Sequence, residues 1–159
     1  MAKVMMMCGK ICSGKSTYAQ ALRKKHNGVI LSVDEITLAL FDSDVGDKHD
    51  EYVERAEKYL YEKSLEILDS GVDVILDWGF WTRVERQQAR DFYGSQGIEY
   101  EFYFIDISNE EWQRRIEKRN CDITEKRTSA YYVDEGLAEK FRRIFEKPGV
   151  NEPNMKIVC

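Results

Sequence analysis

Proline is nearly absent from this chain, with 2 in 159 residues, and cysteine and histidine are scarce at 4 and 2. Cys8, Cys12, Cys121 and Cys159 form no CxxC pair, and His26 and His49 are the only histidines. Neither a disulfide framework nor a structural zinc site is expected from that set. Long apolar runs are missing as well. The longest, Val4 to Cys8, is far too short to cross a bilayer. The opening Met1-Ala2-Lys3-Val4 lacks the apolar stretch and small-residue cleavage site of a secretory signal, so a cytoplasmic location without membrane attachment is expected. Basic charge is not in excess. The net charge is −5, which argues against nucleic acid as the main partner, because polyanion binders usually carry a basic face.

What is present is globular. Hydrophobic residues make up 43% and charged residues 33%, which excludes disordered, collagen-like and mucin-like chains. A chain of this length buries roughly 68–70% of the surface it exposes when unfolded. It contains no 20–50-residue repeat, low-complexity tract or linker-like stretch, so one continuous domain over 1–159 is expected.

Apolar runs alternate with helical patterns. Lys3–Cys8, Val29–Ser32, Val72–Leu76, Glu99–Ile105 and Met155–Val158 read as strands. Ser16–Lys25, Asp50–Asp69 and Thr82–Tyr93 read as helices. Another begins at Ser108, where Glu111 has the spacing of a capping box, and runs to about Arg119. Leu137, Phe141, Ile144 and Phe145 mark one more helix face. Strands alternating with helices imply parallel βαβ units with right-handed crossovers and a sheet covered on both faces. Ligands of such folds bind beyond the carboxyl ends of the strands. The residues to interrogate are therefore Gly9–Ser16, Asp34, Asp77–Trp81 and Asp106.

Gly9-Lys10-Ile11-Cys12-Ser13-Gly14-Lys15-Ser16 matches G-x-x-x-x-G-K-[ST], with Thr17 following. Glycines let backbone N–H groups close around an anion, and the helix that follows adds partial positive charge. Lys15 is placed to reach the β- and γ-phosphates of a nucleotide, and the Ser16 hydroxyl to bind Mg²⁺. Cys12 lies in this loop, at a helix start and near Lys15; it reads as a filler position or a redox site.

Asp34 follows the second strand and either caps the next helix or acts as general base toward an attacking hydroxyl, with Glu35 ranked behind it. Asp77 ends the third strand, as a turn residue or as support for Mg²⁺ through water. Trp78, Phe80 and Trp81 after it either cap the core or form a platform for the acceptor. Arg83 and Arg86 face either the active centre or solvent. Arg114, Arg115, Lys118, Arg119, Lys126 and Arg127 are either a solvated mixed-charge face or a lid over about 114–131. Arg115 and Arg119 share a helix face by their i, i+4 spacing, and with Arg127 behind them they are the candidates to neutralise a transferring phosphoryl group. The acids Asp42, Asp44, Asp47, Asp50, Glu51 and Glu54 either form a solvated helix start or draw a cationic or polyhydroxylated acceptor.

With these residues placed, GKICSGKST, LSVDEI, VILDWGFWTRVERQQARDF and EYEFYFIDISNEEWQRRIEKRN, in that order over about 1–147, resemble the small P-loop kinases of the AAA_33 type. Relatives of that group include polynucleotide 5′-kinase, chloramphenicol phosphotransferase and the zeta toxins. The resemblance implies an α/β fold: a three-layer αβα P-loop NTPase with a parallel sheet of about five strands and a short helical lid. It also implies transfer of the γ-phosphoryl group of ATP, with Mg²⁺, to a hydroxyl. By matching position Asp34 looks like the catalytic aspartate, Arg115 and Arg119 like lid arginines, and Asp77 like the strand-three acid. The acid-rich LALFDSDVGDKHDEYVE, residues 38–54, departs from what a polynucleotide acceptor favours. A small-molecule acceptor such as an antibiotic, amino sugar or nucleoside is therefore expected. A polynucleotide 5′-hydroxyl kinase and a nucleotide-binding regulatory or toxin-like protein are the alternatives. A monomer or homodimer is expected.

Overall fold

A computed structural model of the chain describes residues 1–41, 46–125 and 132–159. The strands are β1 (Val4–Cys8), β2 (Val29–Leu31), β3 (Val74–Leu76), β4 (Tyr100–Ile105) and β5 (Met155–Val158). The helices are α1 (Lys15–His26), α2 (Val33–Phe41), α3 (His49–Asp69), α4 (Arg83–Gly94), α5 (Asn109–Thr124) and α6 (Glu135–Ile144). The five strands form one sheet in the order β2-β3-β1-β4-β5, and every pairing is parallel.

β1 is central, and all five of its side chains are fully buried. Strand alternation sends them to opposite faces. Val4, Met6 and Cys8 pack with Leu68 of α3 and with Ala89 and Tyr93 of α4. Met5 and Met7 pack with Ala19 and Leu22 of α1. Each such side chain contributes about 1.5–3 kcal/mol by leaving water, so the sheet requires helices on both sides and the fold has three layers. The strand and helix assignments hold, with shifts at the ends. β3 starts at Val74 because the Val72 N–H turns back to the Ile67 carbonyl (3.4 Å). β2 stops at Leu31 because Ser32 Oγ accepts from the Glu35 N–H (3.2 Å) and opens α2. α5 continues five residues beyond Arg119, to Thr124.

The expected capping box at α5 forms only by half. Ser108 Oγ accepts from the Glu111 N–H (3.2 Å), but the Glu111 carboxylate goes to Arg114 and Arg115. The complete box is at α4, where Thr82 and Glu85 exchange bonds of 2.9 and 3.1 Å.

Candidate active site

The turn after β1 is shaped by two glycines. Gly9 has φ 155°, and a Cβ there would stand 2.9 Å from Ser13 Oγ and 3.2 Å from the Ile105 carbonyl. Gly14 has φ 99°, and a Cβ there would meet Arg115 Nη1 at 2.9 Å. The turn delivers the chain into α1, whose opening N–H groups have no intrahelical acceptor. Ser13 Oγ is buried without a hydrogen-bond partner among the described residues. Orphaned donors of this kind at a helix start suit an oxyanion.

Lys15 Nζ donates to the Lys10 carbonyl (2.7 Å) across the loop. Burial lowers its pKa, and the charges of Asp77 and Asp34 oppose that shift. Ser16 Oγ donates to Asp77 Oδ2 (2.8 Å). Burial raises the Asp77 carboxyl above the usual range, while the Ser16 hydrogen bond and Lys15 pull it down and Asp34 and Glu35 push it up. Lys15, Ser16, Asp34 and Asp77 thus occupy one electrostatic neighbourhood at the ends of β1, β2 and β3. Asp34 is exposed in the first turn of α2. Because Ser32 caps that turn, capping is not what Asp34 does.

α5 docks on the loop along one face. Trp112 Nε1 donates to the Ile11 carbonyl (2.6 Å), Arg115 Nη1 to the Ser13 carbonyl (2.6 Å) and Arg119 Nη1 to Cys12 Sγ (3.1 Å). Glu111 Oε1 holds Arg115 Nε at 2.7 Å. The structure therefore brings Arg115 and Arg119 to the glycine turn after β1. From the sequence Glu111 was expected only as a capping residue and Trp112 was not singled out, although the spacing 112, 115, 119 marks one helical face. Cys12 sits in the left-handed region at φ 59°.

The residues after β3 divide differently from expectation. Trp78 is half-buried against Tyr61 (5.5 Å, edge-on) and Phe80 (5.3 Å, stacked). Phe80 is only 2% exposed and belongs to the core, so it is no acceptor platform. Trp81 lies over Gly79 and meets Phe141 edge-on at 4.6 Å. Arg83 is exposed. Arg86 faces neither the active centre nor solvent. It is fully buried and donates to the Phe80 carbonyl (2.9 Å) and to both carboxylate oxygens of Glu152 (2.9 Å each). A buried guanidinium needs paired acceptors, and this one finds them in the scaffold.

Glu57 of α3 was also missed. It is half-buried beside Glu85 and Glu54. Burial and then those two carboxylates push its carboxyl up to about 7. Asp47, Asp50, Glu51 and Glu54 are exposed, and Asp50 and Glu51 sit in the first turn of α3, where acids suit the helix dipole. Asp42, Asp44, Lys126 and Arg127 lie outside the described residues, as does the lid segment 126–131.

Residues 4–148 match AAA_33, a family described as an AAA domain. The chain belongs to the AAA_33 family. Solved structures agree on the fold of this AAA_33 chain. It is 16% identical to a sugar kinase from Janibacter sp. HTCC2649, with TM-score 0.68, covering 99% of this chain and 85% of that one. It is 18% identical to the Mycobacterium tuberculosis APS kinase CysC in complex with AMPPNP and APS, with TM-score 0.68 and coverage of 99% and 87%. It is 25% identical to a chain of the Pnkp1/Rnl/Hen1 RNA repair complex, with TM-score 0.71 and coverage of 88% and 42%. No curated protein matches the chain. Among the described residues no helix is long and apolar enough to cross a membrane, and no three His, Cys, Asp or Glu side chains group to hold a metal ion.

Proposed function

We propose that this AAA_33 chain is an ATP-dependent kinase that transfers the γ-phosphoryl group to a hydroxyl of a small molecule: an antibiotic, an amino sugar or a nucleoside. The observation that carries the reading is the convergence of Lys15, Ser16, Asp34 and Asp77 at the strand ends beside a loop with buried, unpartnered donor capacity. In it the backbone from Gly9 to Thr17 cradles the triphosphate, and Lys15 turns from the Lys10 carbonyl to the phosphates. Ser16, with Asp77 behind it, is the donor set for Mg²⁺, an ion that takes few protein ligands and keeps phosphate oxygens and waters. The ion supplies neutralisation of the phosphate charge. Asp34 accepts the proton of the attacking hydroxyl. Arg115 and Arg119 exchange the loop carbonyl and thiol for phosphate oxygens as charge develops. Half-buried Trp78 and Trp81 border the acceptor side.

The test is phosphoryl transfer from labelled ATP to aminoglycosides, other antibiotics, nucleosides and sugars, run beside 5′-hydroxyl oligonucleotides. The Asp34→Asn protein is expected to lose roughly 10²–10⁴ in kcat with little change in nucleotide affinity. Unchanged turnover in that variant rejects the base, and transfer to the oligonucleotides alone rejects the small-molecule acceptor.

A further inference from the structure

A cavity of about 660 Å³ opens on the β4 side of the phosphate loop, lined by none of Asp34, Asp77 or Trp78. Its volume lies within the range of small-molecule sites, which pair an apolar wall with a few placed polar groups. Phe104, Phe145 and Ile107 provide the wall, with the two phenyl rings stacked at 5.9 Å. Lys10, Arg142 and Lys147 provide the polar side. Among the lining residues three cations face one carboxylate, Asp106, and Glu139 outside the lining pairs with Arg142, which leaves a local excess of positive charge in a chain of net charge −5.

Two of the cations are held in place. Lys10 Nζ lies 4.7 Å from the centre of the Trp112 ring and Arg142 lies 5.1 Å from it. Each also has a polar partner: Lys10 on Asn109 Oδ1 at 3.3 Å, Arg142 on Glu139 at 2.9 Å and on Gln113 at 3.5 Å. Lys147 reaches Asp106 at 3.3 Å. Burial lowers the Lys10 pKa, the Asp106 carboxylate opposes that shift, and Arg142 and Lys147 add to it. Ser108 and Asn109 at the start of α5 line the same space. Glu111 is engaged by Arg114 and Arg115 and does not close the cap there.

The geometry points to a second anion site. The cavity takes a small phosphate monoester, its oxyanion between Lys10, Arg142 and Lys147 and its organic body against Phe104, Phe145 and Ile107. The site does not depend on the proposed kinase activity. Sequence spacing hides it, because Lys10 lies in the phosphate loop while Arg142 and Lys147 come from the far end of the chain.

Phenyl phosphate is the probe, titrated by calorimetry into the full chain at constant ionic strength. Saturable binding is expected in the wild-type chain and in Lys15→Ala. It weakens roughly tenfold in Lys147→Gln, the size of one lost charge-assisted contact. It is lost in Arg142→Gln with Lys147→Gln. Asp106→Asn, which removes the carboxylate, tightens it. Thermal unfolding checks each variant. Should the double variant fail to fold, Lys147→Gln decides alone, since that side chain is 67% exposed. Loss of binding in Lys15→Ala puts the probe in the phosphate loop and overturns the proposal. Affinity unchanged in Lys147→Gln, or an equal response to chloride, also overturns it.

Discussion

Two helices carry arginine pairs at the same i, i+4 spacing, and the two pairs live in opposite surroundings. Arg86 and Arg90 of α4 are buried and share the Glu152 carboxylate, each at 2.9 Å. Arg115 and Arg119 of α5 are less buried and rest on a backbone carbonyl and a thiol of the glycine turn after β1, with the partly exposed Glu111 carboxylate on Arg115 Nε at 2.7 Å. A guanidinium that has met its carboxylate in a dry site is committed to the scaffold, because separating the pair leaves an uncompensated buried charge. The Arg115–Glu111 pair is partly exposed, so solvent screens it, and the α5 guanidinium groups can take a new acceptor at little cost. The first pair ties the lead-in to β5 onto α4; the second is poised over the place proposed for phosphate.

The largest test of that contrast is on the poised pair. Arg115→Ala with Arg119→Ala is expected to lower kcat by about 10³, near the low end for arginines that stabilise a transferring phosphoryl group. The melting temperature should stay within about 2 °C, as for surface changes. A fall in melting temperature matching the loss in turnover would erase the difference between the pairs.

The committed pair should behave in the reverse way. Glu152→Ala is expected to cost about 3–5 kcal/mol in urea unfolding, since it strands two guanidinium groups. Burial works to raise the Glu152 carboxyl, but the hydrogen bonds from Arg86 and Arg90 outweigh it and bring it down to about 2. The folded protein therefore holds this carboxylate ionised more strongly than the unfolded chain does. The stabilisation is present above the ordinary carboxylate pKa, roughly 4.3, and disappears as pH falls from there toward 2. Acid unfolding curves of wild type and Glu152→Ala should converge over that window.

Glu57 sharpens the comparison from the other side, as a carboxylate placed among carboxylates. Its folded-state pKa of about 7 means that the unfolded chain ionises first as pH rises. Stability contributed by the protonated group is complete below about pH 4.3 and is lost as pH climbs through 7. Glu57→Gln is expected to stabilise the protein by about 2 kcal/mol at pH 8 and by nothing measurable at pH 4. Equal effects at both pH values would show that Glu57 is not charge-crowded.

Much of the fold was legible because local rules and global packing agree. The fully buried β1, the two glycines and the alternation of strand and helix all follow from patterns that a period of 2 or 3.6 reveals. The glycine turn after β1 was legible for the same reason, being contiguous. The surroundings of the residues after β3 were not. Phe80 and Arg86 sit beside Asp77 in the chain and look available, yet one joins the core and the other turns to Glu152, 66 residues away. Glu111 has the spacing of a capping residue, but Arg114 and Arg115 compete for its carboxylate and win.

The amino-acid order on its own settled the glycine turn after β1, the parallel αβα architecture and the shared face of Arg115 and Arg119, because these depend on neighbours within a few residues. Only the tertiary structure decided which pair is buried with its carboxylate, which carboxyl rises and which falls, and that Lys10 shares a cavity with Arg142 and Lys147. Charges act through space at a strength set by burial, and burial is a property of the folded whole.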